Sequence, residues 1–246
     1  MELINLEKLD KRIRKVLESY LDRMIRVNGG NIRSIFIYGS GACREFVPKR
    51  SNINIAVIME KITVSDLKKN TGLVSSGRRK GIVAPLFLTM EHVLSSTDVF
   101  PVEFLEMKEN YLLLFGEDIL KELGIKPDNI RLQCEQQVKG GLIRLYEACM
   151  ETGIGSKKVK ELMSASITSL MPVFRNLLRL KGKTPPVKKE EIIEGMSGEF
   201  SLDGELFHKI LKIKRGEKFT DNSELLIGRY MEELDKLAGA VDRMKV

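Results

Sequence analysis

An α+β domain over residues 1–126, followed by an all-α helical bundle domain over 127–246, is the fold class that this chain of 246 residues predicts. Three observations lead there. Two short, β-branched apolar runs at 33–38 and 53–59 have the length and continuity of buried strands. An apolar stripe at helical spacing precedes them. Beyond Gly124, Ile125, Lys126 and Pro127 the periodicity turns wholly helical, which places the boundary between the two parts.

The elements follow in order. Leu6, Leu9, Ile13, Leu17, Tyr20, Leu21 and Met24 recur at spacings of three and four, predicting one amphipathic helix near 5–27. Asn28, Gly29, Gly30 and Asn31 end it, because glycine and asparagine tolerate the left-handed backbone of a helix exit. After the two strands, Ser65 is expected to cap a short helix opening with Asp66 and Leu67. Residues 82–89 read as a strand, and Pro85, which lacks an amide donor, points to an edge or a bulge. Glu91 to Ser95 predicts one helical turn. Phe100 to Met107 and Tyr111 to Phe115 predict one or two further strands.

In the second half, Ile130, Cys134, Val138, Leu142, Leu145 and Cys149 form one helical stripe. A second runs from Leu162 to Leu178, where Pro172 is expected to kink the helix, and Thr184, Pro185 and Pro186 end it. Leu206 to Ile213 and Leu225 to Met244 predict two more amphipathic helices.

Composition narrows the class of function. With 43% hydrophobic and 30% charged residues, the chain has the balance of a soluble globular protein. No apolar run approaches the roughly 20 residues that span a bilayer, and the first residues lack the pattern of a signal peptide. A membrane partner is therefore not expected. The three cysteines have no metal-ligand spacing, which favours free thiols and a cytoplasmic location. The net charge of +7 is spread along the chain, with 20 Lys/Arg against 16 Asp/Glu to residue 126 and 21 against 18 beyond it. Such an excess attracts phosphate-bearing ligands in general. With 6% aromatics and no tryptophan, stacking platforms are sparse, so nucleic acid is disfavoured as a partner.

One constellation carries chemistry. Ile35, Phe36, Ile37 and Tyr38 lead into Gly39 and Ser40; a basic loop with Arg44, Lys49 and Arg50 follows; a second apolar run opens as Asn52, Ile53, Asn54 and Ile55. A glycine after a strand lets backbone approach a phosphate closely, and Ser40 can donate a hydrogen bond to it. This segment resembles the signature of the nucleotidyltransferase superfamily, the fold shared by DNA polymerase β and the antibiotic nucleotidyltransferases. The run from Phe100 to Asp118 also looks like the later strands of uncharacterised prokaryotic members. The resemblance implies a mixed β-sheet domain, a helical domain that covers the cleft, and a nucleotide as ligand.

It also implies a metal site, and here the chain departs from the pattern. In the superfamily the second strand opens with two acids one position apart. Alternate residues of a strand face the same way, so such acids converge on the divalent cations that assist nucleotidyl transfer. Here both positions are asparagine, Asn52 and Asn54. At ~4 Å and an effective dielectric of ~20, one unit-charge pair interacts by about 4 kcal/mol, so replacing two carboxylates forfeits a large gross attraction for a divalent ion. The third acid of the resembled site lies on a later strand, where Glu103 fits best; Glu106 falls on the other strand face. Asn52, Asn54 and Glu103 would then form a degenerate metal site, and any magnesium would be delivered with a nucleotide.

The expected function is a nucleotidyltransferase-like protein with a degenerate metal site, a pseudoenzyme that binds a nucleotide or phosphorylated ligand in a non-catalytic or regulatory role. One alternative is an active nucleotidyltransferase acting on a small molecule, protein or RNA acceptor. Another is a protein-interaction module with a protein partner. The remaining signals have plainer readings. Arg78, Arg79 and Lys80 read as a charged turn, and Lys157, Lys158 and Lys160 as solvated lysines at a helix start. Gly153 to Lys158 lacks the order of a phosphate loop. His92 and His208 are too few for a histidine-based metal site, and Cys43 reads as a spectator thiol.

Overall fold

The computed structural model describes residues 2–42, 52–217 and 222–246. They form two compact units, Met1–Ile125 and Lys126–Val246.

The first unit is built on a four-stranded sheet of β1 (Ile32–Tyr38), β2 (Asn54–Met59), β3 (Leu86–Thr89) and β4 (Tyr111–Gly116), in the order β3-β2-β1-β4. β1 pairs antiparallel with β2 and β4, while β3 runs parallel to β2. A parallel neighbour needs a crossover, and helix α2 (Val64–Arg78) supplies it. The sheet is coated on both faces. Ile35, Ile37, Ile55 and Val57 pack on one side with Leu73 of α2 and with Ile13, Leu17 and Leu21 of helix α1 (Lys11–Asn28). Phe36, Ala56, Ile58 and Leu88 pack on the other with Val93 of helix α3 (Met90–Ser95) and with Phe104 and Met107 of helix α4 (Pro101–Glu109).

Local chemistry corrects three expectations. The first helix does not start near residue 5: Leu6–Lys8 form a 3-10 turn, Leu9 is extended, and the Asp10 side chain accepts the Arg12 amide at 2.8 Å to cap α1. The cap of α2 is Thr63 rather than Ser65. Thr63 and Asp66 make a reciprocal capping box, which outcompetes a lone serine inside the first turn. The run from Phe100 to Met107 is helix α4, not a strand. Pro101 occupies its first turn, where no amide donor is needed, and Glu103, Leu105, Glu106, Met107 and Lys108 are good helix formers.

Polar groups inside this unit are mostly matched. Asn70 of α2 and Asn28 of α1 exchange amide hydrogen bonds at 2.8 and 3.1 Å, pinning the two helices together. Ser34 at the sheet centre donates to the Glu117 carbonyl at 2.6 Å. The outer edge of β4 is covered: the Ile4 amide donates to Leu114 O and the Asn5 side chain to Leu113 O, both at 2.9 Å. The register of β1 and β4 shifts between Ile35 and Phe36, where Leu114 is the extra residue of β4, and the strand ends at Gly116, whose φ is +78°. Tyr20 of α1 is the exception, since its buried hydroxyl has no hydrogen-bond partner among the described residues. Burial pushes that phenol up to about 12.

The second unit holds helices α5 (Pro127–Thr152), α6 (Lys157–Leu180), α7 (Lys189–Phe200), α8 (Gly204–Lys214) and α9 (Ser223–Asp242). α5 packs on α6 and α9; α7 and α8 pack on α6 and on each other. Phe207 of α8 sits edge-on between Phe174 of α6 and Tyr230 of α9, with centroids 5.6 and 5.8 Å away. The Tyr230 hydroxyl lies 2.5 Å from that of Ser166 on α6. Sequence reading missed α7, although Ile192, Ile193, Met196 and Phe200 bury one face of it. Gly195 lets this helix close on α6, because a Cβ there would lie 3.3 Å from the Leu178 side chain. No helix among the described residues is long and apolar enough to cross a membrane.

Two stability changes are expected. A Cβ at Gly116 would sit 1.9 Å from the Arg33 carbonyl oxygen, so Gly116→Ala should destabilise the protein by roughly 3 kcal/mol or more, measured by denaturant unfolding. Tyr20→Phe removes an unpaired buried hydroxyl and should be neutral or stabilising by about 1 kcal/mol. A clear loss of stability in Tyr20→Phe would mean that the hydroxyl has a partner after all.

Candidate functional site

The C-terminal end of β1 and the start of β2 meet at one corner of the sheet. There the chain turns through Gly39–Gly41, a single 3-10 turn. Gly39 has φ +68°, a conformation that side chains disfavour. Its amide donates to the Asn110 carbonyl at 2.8 Å, fixing the turn to the junction of α4 and β4. Gly41 is needed for a different reason: it is buried, and a Cβ there would meet Ile37 Cδ1 at 3.0 Å. Between the two glycines, half-buried Ser40 makes no hydrogen bond among the described residues.

Asn54 stands directly across from Tyr38 in the β1–β2 register. Its side-chain nitrogen lies 3.3 Å from where a Cβ on Gly39 would be, so the amide lies along the turn. Neither the side chain of Asn54 nor that of the exposed Asn52, which precedes the strand, has a hydrogen-bond partner among the described residues. Gly39, Ser40 and Asn54 are thus brought together where β1 ends and β2 begins. Arg44, Lys49 and Arg50, together with Cys43, lie outside the described residues.

Glu103 is placed differently from the expectation. It is exposed in the first turn of helix α4, so the strand-face argument that separated it from Glu106 does not apply. More tellingly, none of the four strands contains an aspartate or a glutamate. The strand beside β2 on its outer side is Leu86, Phe87, Leu88 and Thr89. Among the described residues, no three His, Cys, Asp or Glu side chains gather in a group that could hold a metal ion. Two neutral amides and a serine do not fit a divalent cation held by the protein alone, because hard cations take carboxylate oxygen.

Sequence reasoning also missed a polar row next to the turn. Tyr111 of β4 pairs in register with Tyr38, which pairs with Asn54. The Tyr111 hydroxyl donates to both carboxylate oxygens of Asp118, at 2.8 and 3.0 Å, and its ring meets Phe36 edge-on at 5.6 Å. Burial, reinforced by the Asp118 carboxylate, pushes the Tyr111 phenol up to about 12. Burial alone raises Tyr38. The aromatic residues spaced around Gly39 were the available signal. At the other motifs the plain readings have partners: Lys157 lies 3.5 Å from Glu161, and Lys158 lies 2.7 Å from Glu151.

No protein-family model matches the chain. No curated protein matches it either. Solved structures do. Spectinomycin adenyltransferase AAD(9) from Enterococcus faecialis, solved with ATP and spectinomycin, superposes with a TM-score of 0.57 at 13% identity, over 90% of this chain and 98% of that one. A nucleotidyltransferase-like protein from Exiguobacterium sibiricum 255-15 aligns with a TM-score of 0.41 at 10% identity, over 89% of this chain and 75% of that one. The likeness to AAD(9) establishes a nucleotidyltransferase fold with a helical C-terminal part.

The raised tyrosines give a signed pH dependence. A phenol that holds its proton more tightly when folded stabilises the protein fully below its unfolded pKa and loses that contribution as pH rises through the folded value. Stability should therefore fall between about pH 10 and pH 12, the ordinary and the folded values. Tyr111→Phe should flatten that fall, as followed by thermal melting across the range. An unchanged slope would remove Tyr111 as a contributor.

Proposed function

We propose that this protein binds a nucleotide or another phosphorylated ligand at the Gly39–Ser40 turn, without a metal held by its own side chains, in a non-catalytic or regulatory role. One observation carries the reading: Asn52, just before β2, and Asn54, its first residue, are neutral, and no strand of the sheet supplies a carboxylate in their place. What remains suits an anion. Ser40 and the amides of Asn52 and Asn54 offer uncommitted donors, and Arg44, Lys49 and Arg50 in the connecting segment add positive charge. Phosphate bound this way is held by hydrogen bonds and by the basic loop. The turn is stiff enough for the task, since Gly39 and Gly41 are each constrained by their surroundings.

The chain-length likeness to an adenyltransferase solved with ATP and spectinomycin favours one second reading, transfer of a nucleoside monophosphate to a hydroxyl acceptor. In that reading Glu103 is the acid on which turnover depends, and Glu103→Gln should abolish pyrophosphate release. Retained turnover in that variant would exclude this role.

Calorimetric titration of ATP, GTP, CTP and UTP, each with magnesium and with EDTA, tests the main proposal. Binding should persist in EDTA and should weaken at least tenfold, about 1.4 kcal/mol, when Ser40 and Arg44 are both replaced by alanine. The Asn52→Asp/Asn54→Asp variant should behave oppositely, losing binding in EDTA through charge repulsion and regaining it with magnesium. Binding by the natural protein that strictly requires magnesium, or no binding at all, would overturn the proposal.

A further inference from the structure

Helix α5 has a face that its own bundle does not use. It packs on α6 and α9 through Ile130, Cys134, Val138, Leu142 and Leu145. On another side it exposes Ile143, Tyr146 and Met150, spaced three and four residues apart, and Met150 is 89% exposed. Such spacing aligns the three in one stripe along the helix.

Two further observations bear on the stripe. Gly140 and Gly141 sit in the interior of this 26-residue helix, and a Cβ at either would meet nothing within 4 Å. Glycine is less favourable than alanine inside a helix, and neither glycine has a packing reason among the described residues. A close approach from outside the chain would supply one. The second observation is charge. Arg144 and Glu147 flank the stripe, both are exposed, and neither has an ion-pair partner among the described residues.

We infer that α5 is a self-association surface, on which a second copy of this chain docks its own α5 in the antiparallel sense. The charge order selects both the partner and the direction. About a two-fold axis near Leu145 and Tyr146, Arg144 faces Glu147 of the partner subunit, and the same pair recurs on the other side of the axis. A parallel arrangement would set Arg144 against Arg144 of the partner subunit. The antiparallel register also brings Met150 of the partner subunit to the level of Gly140 and Gly141, where the missing side chains admit the long thioether. Ile143 and Tyr146 close the centre of the contact.

Sedimentation velocity on the full chain, from ~1 to ~100 μM, tests this, since a weak helix-mediated dimer has a Kd in the micromolar range. The chain should pass from monomer to dimer as concentration rises. Arg144→Glu and Glu147→Arg should each weaken association roughly tenfold or more, because one substitution creates two like-charge contacts across the axis. The double variant Arg144→Glu/Glu147→Arg should restore it. Gly140→Ala should raise the melting temperature of the monomer while weakening the dimer, a split that misfolding would not produce. A chain that stays monomeric at ~100 μM, or a double variant that associates no better than the single ones, overturns the inference.

Discussion

Strand β1 is the element from which everything else in the first unit takes its position. It has a hydrogen-bonded neighbour on each edge and a hydrophobic layer on each face, so its residues are held in four directions. Ile35, Phe36 and Ile37 are wholly buried, with odd positions facing α1 and even ones facing α4. A slip of one residue would exchange these faces and present Ser34 and Tyr38 to the wrong layer. The functional corner inherits that rigidity, since Gly39 follows the last residue of the strand and is tied by its amide to Asn110. The proposed ligand site at this turn is thus a preformed surface, which leaves little ordering cost to offset binding.

Part of this was legible before any coordinates. Residues 33–38 and 53–59 announce themselves because strands buried on both faces need unbroken apolar side chains, and few other local structures do. The stripe from Ile130 to Cys149 is equally direct, as a long helix repeats its message several times. Short elements repeat it once and are misread. The run Pro101 to Met107 is short and largely apolar like a strand, yet helix formers behind a first-turn proline make it α4. Helix α7 was overlooked because Gly195 and Gly198 dilute its pattern, while one of those glycines is what lets it pack closely.

The candidate site divides in the same way. Gly39, Ser40, Asn52 and Asn54 are adjacent in sequence or in register, so a motif could bring them together on paper. Glu103 belonged to a different element, and its assignment depended on getting that element right. The role of Gly41 and the joining of Tyr111 to Tyr38 and Asn54 in one row followed from no motif. Their roles come from cross-strand pairing and from one close contact with Ile37, which are properties of the folded sheet. Fold and site are legible to different degrees for a physical reason. The fold is maintained by some sixty buried apolar positions among the described residues of both units, whereas a site is made of a few polar side chains that the core does not require.

The covering of β4 by Ile4 and Asn5 has a consequence for how the protein behaves in a crowded solution. An open sheet edge is a template on which foreign strands can grow, and this sheet has two ends to guard. At the β4 end the N-terminal segment already occupies the backbone groups of Leu113 and Leu114. At the other end β3 is only four residues long and follows directly on Pro85, so an incoming strand finds a short ladder with a donor missing beside it. Leu86 can therefore remain 40% exposed on that edge without turning the sheet into a seed for aggregation.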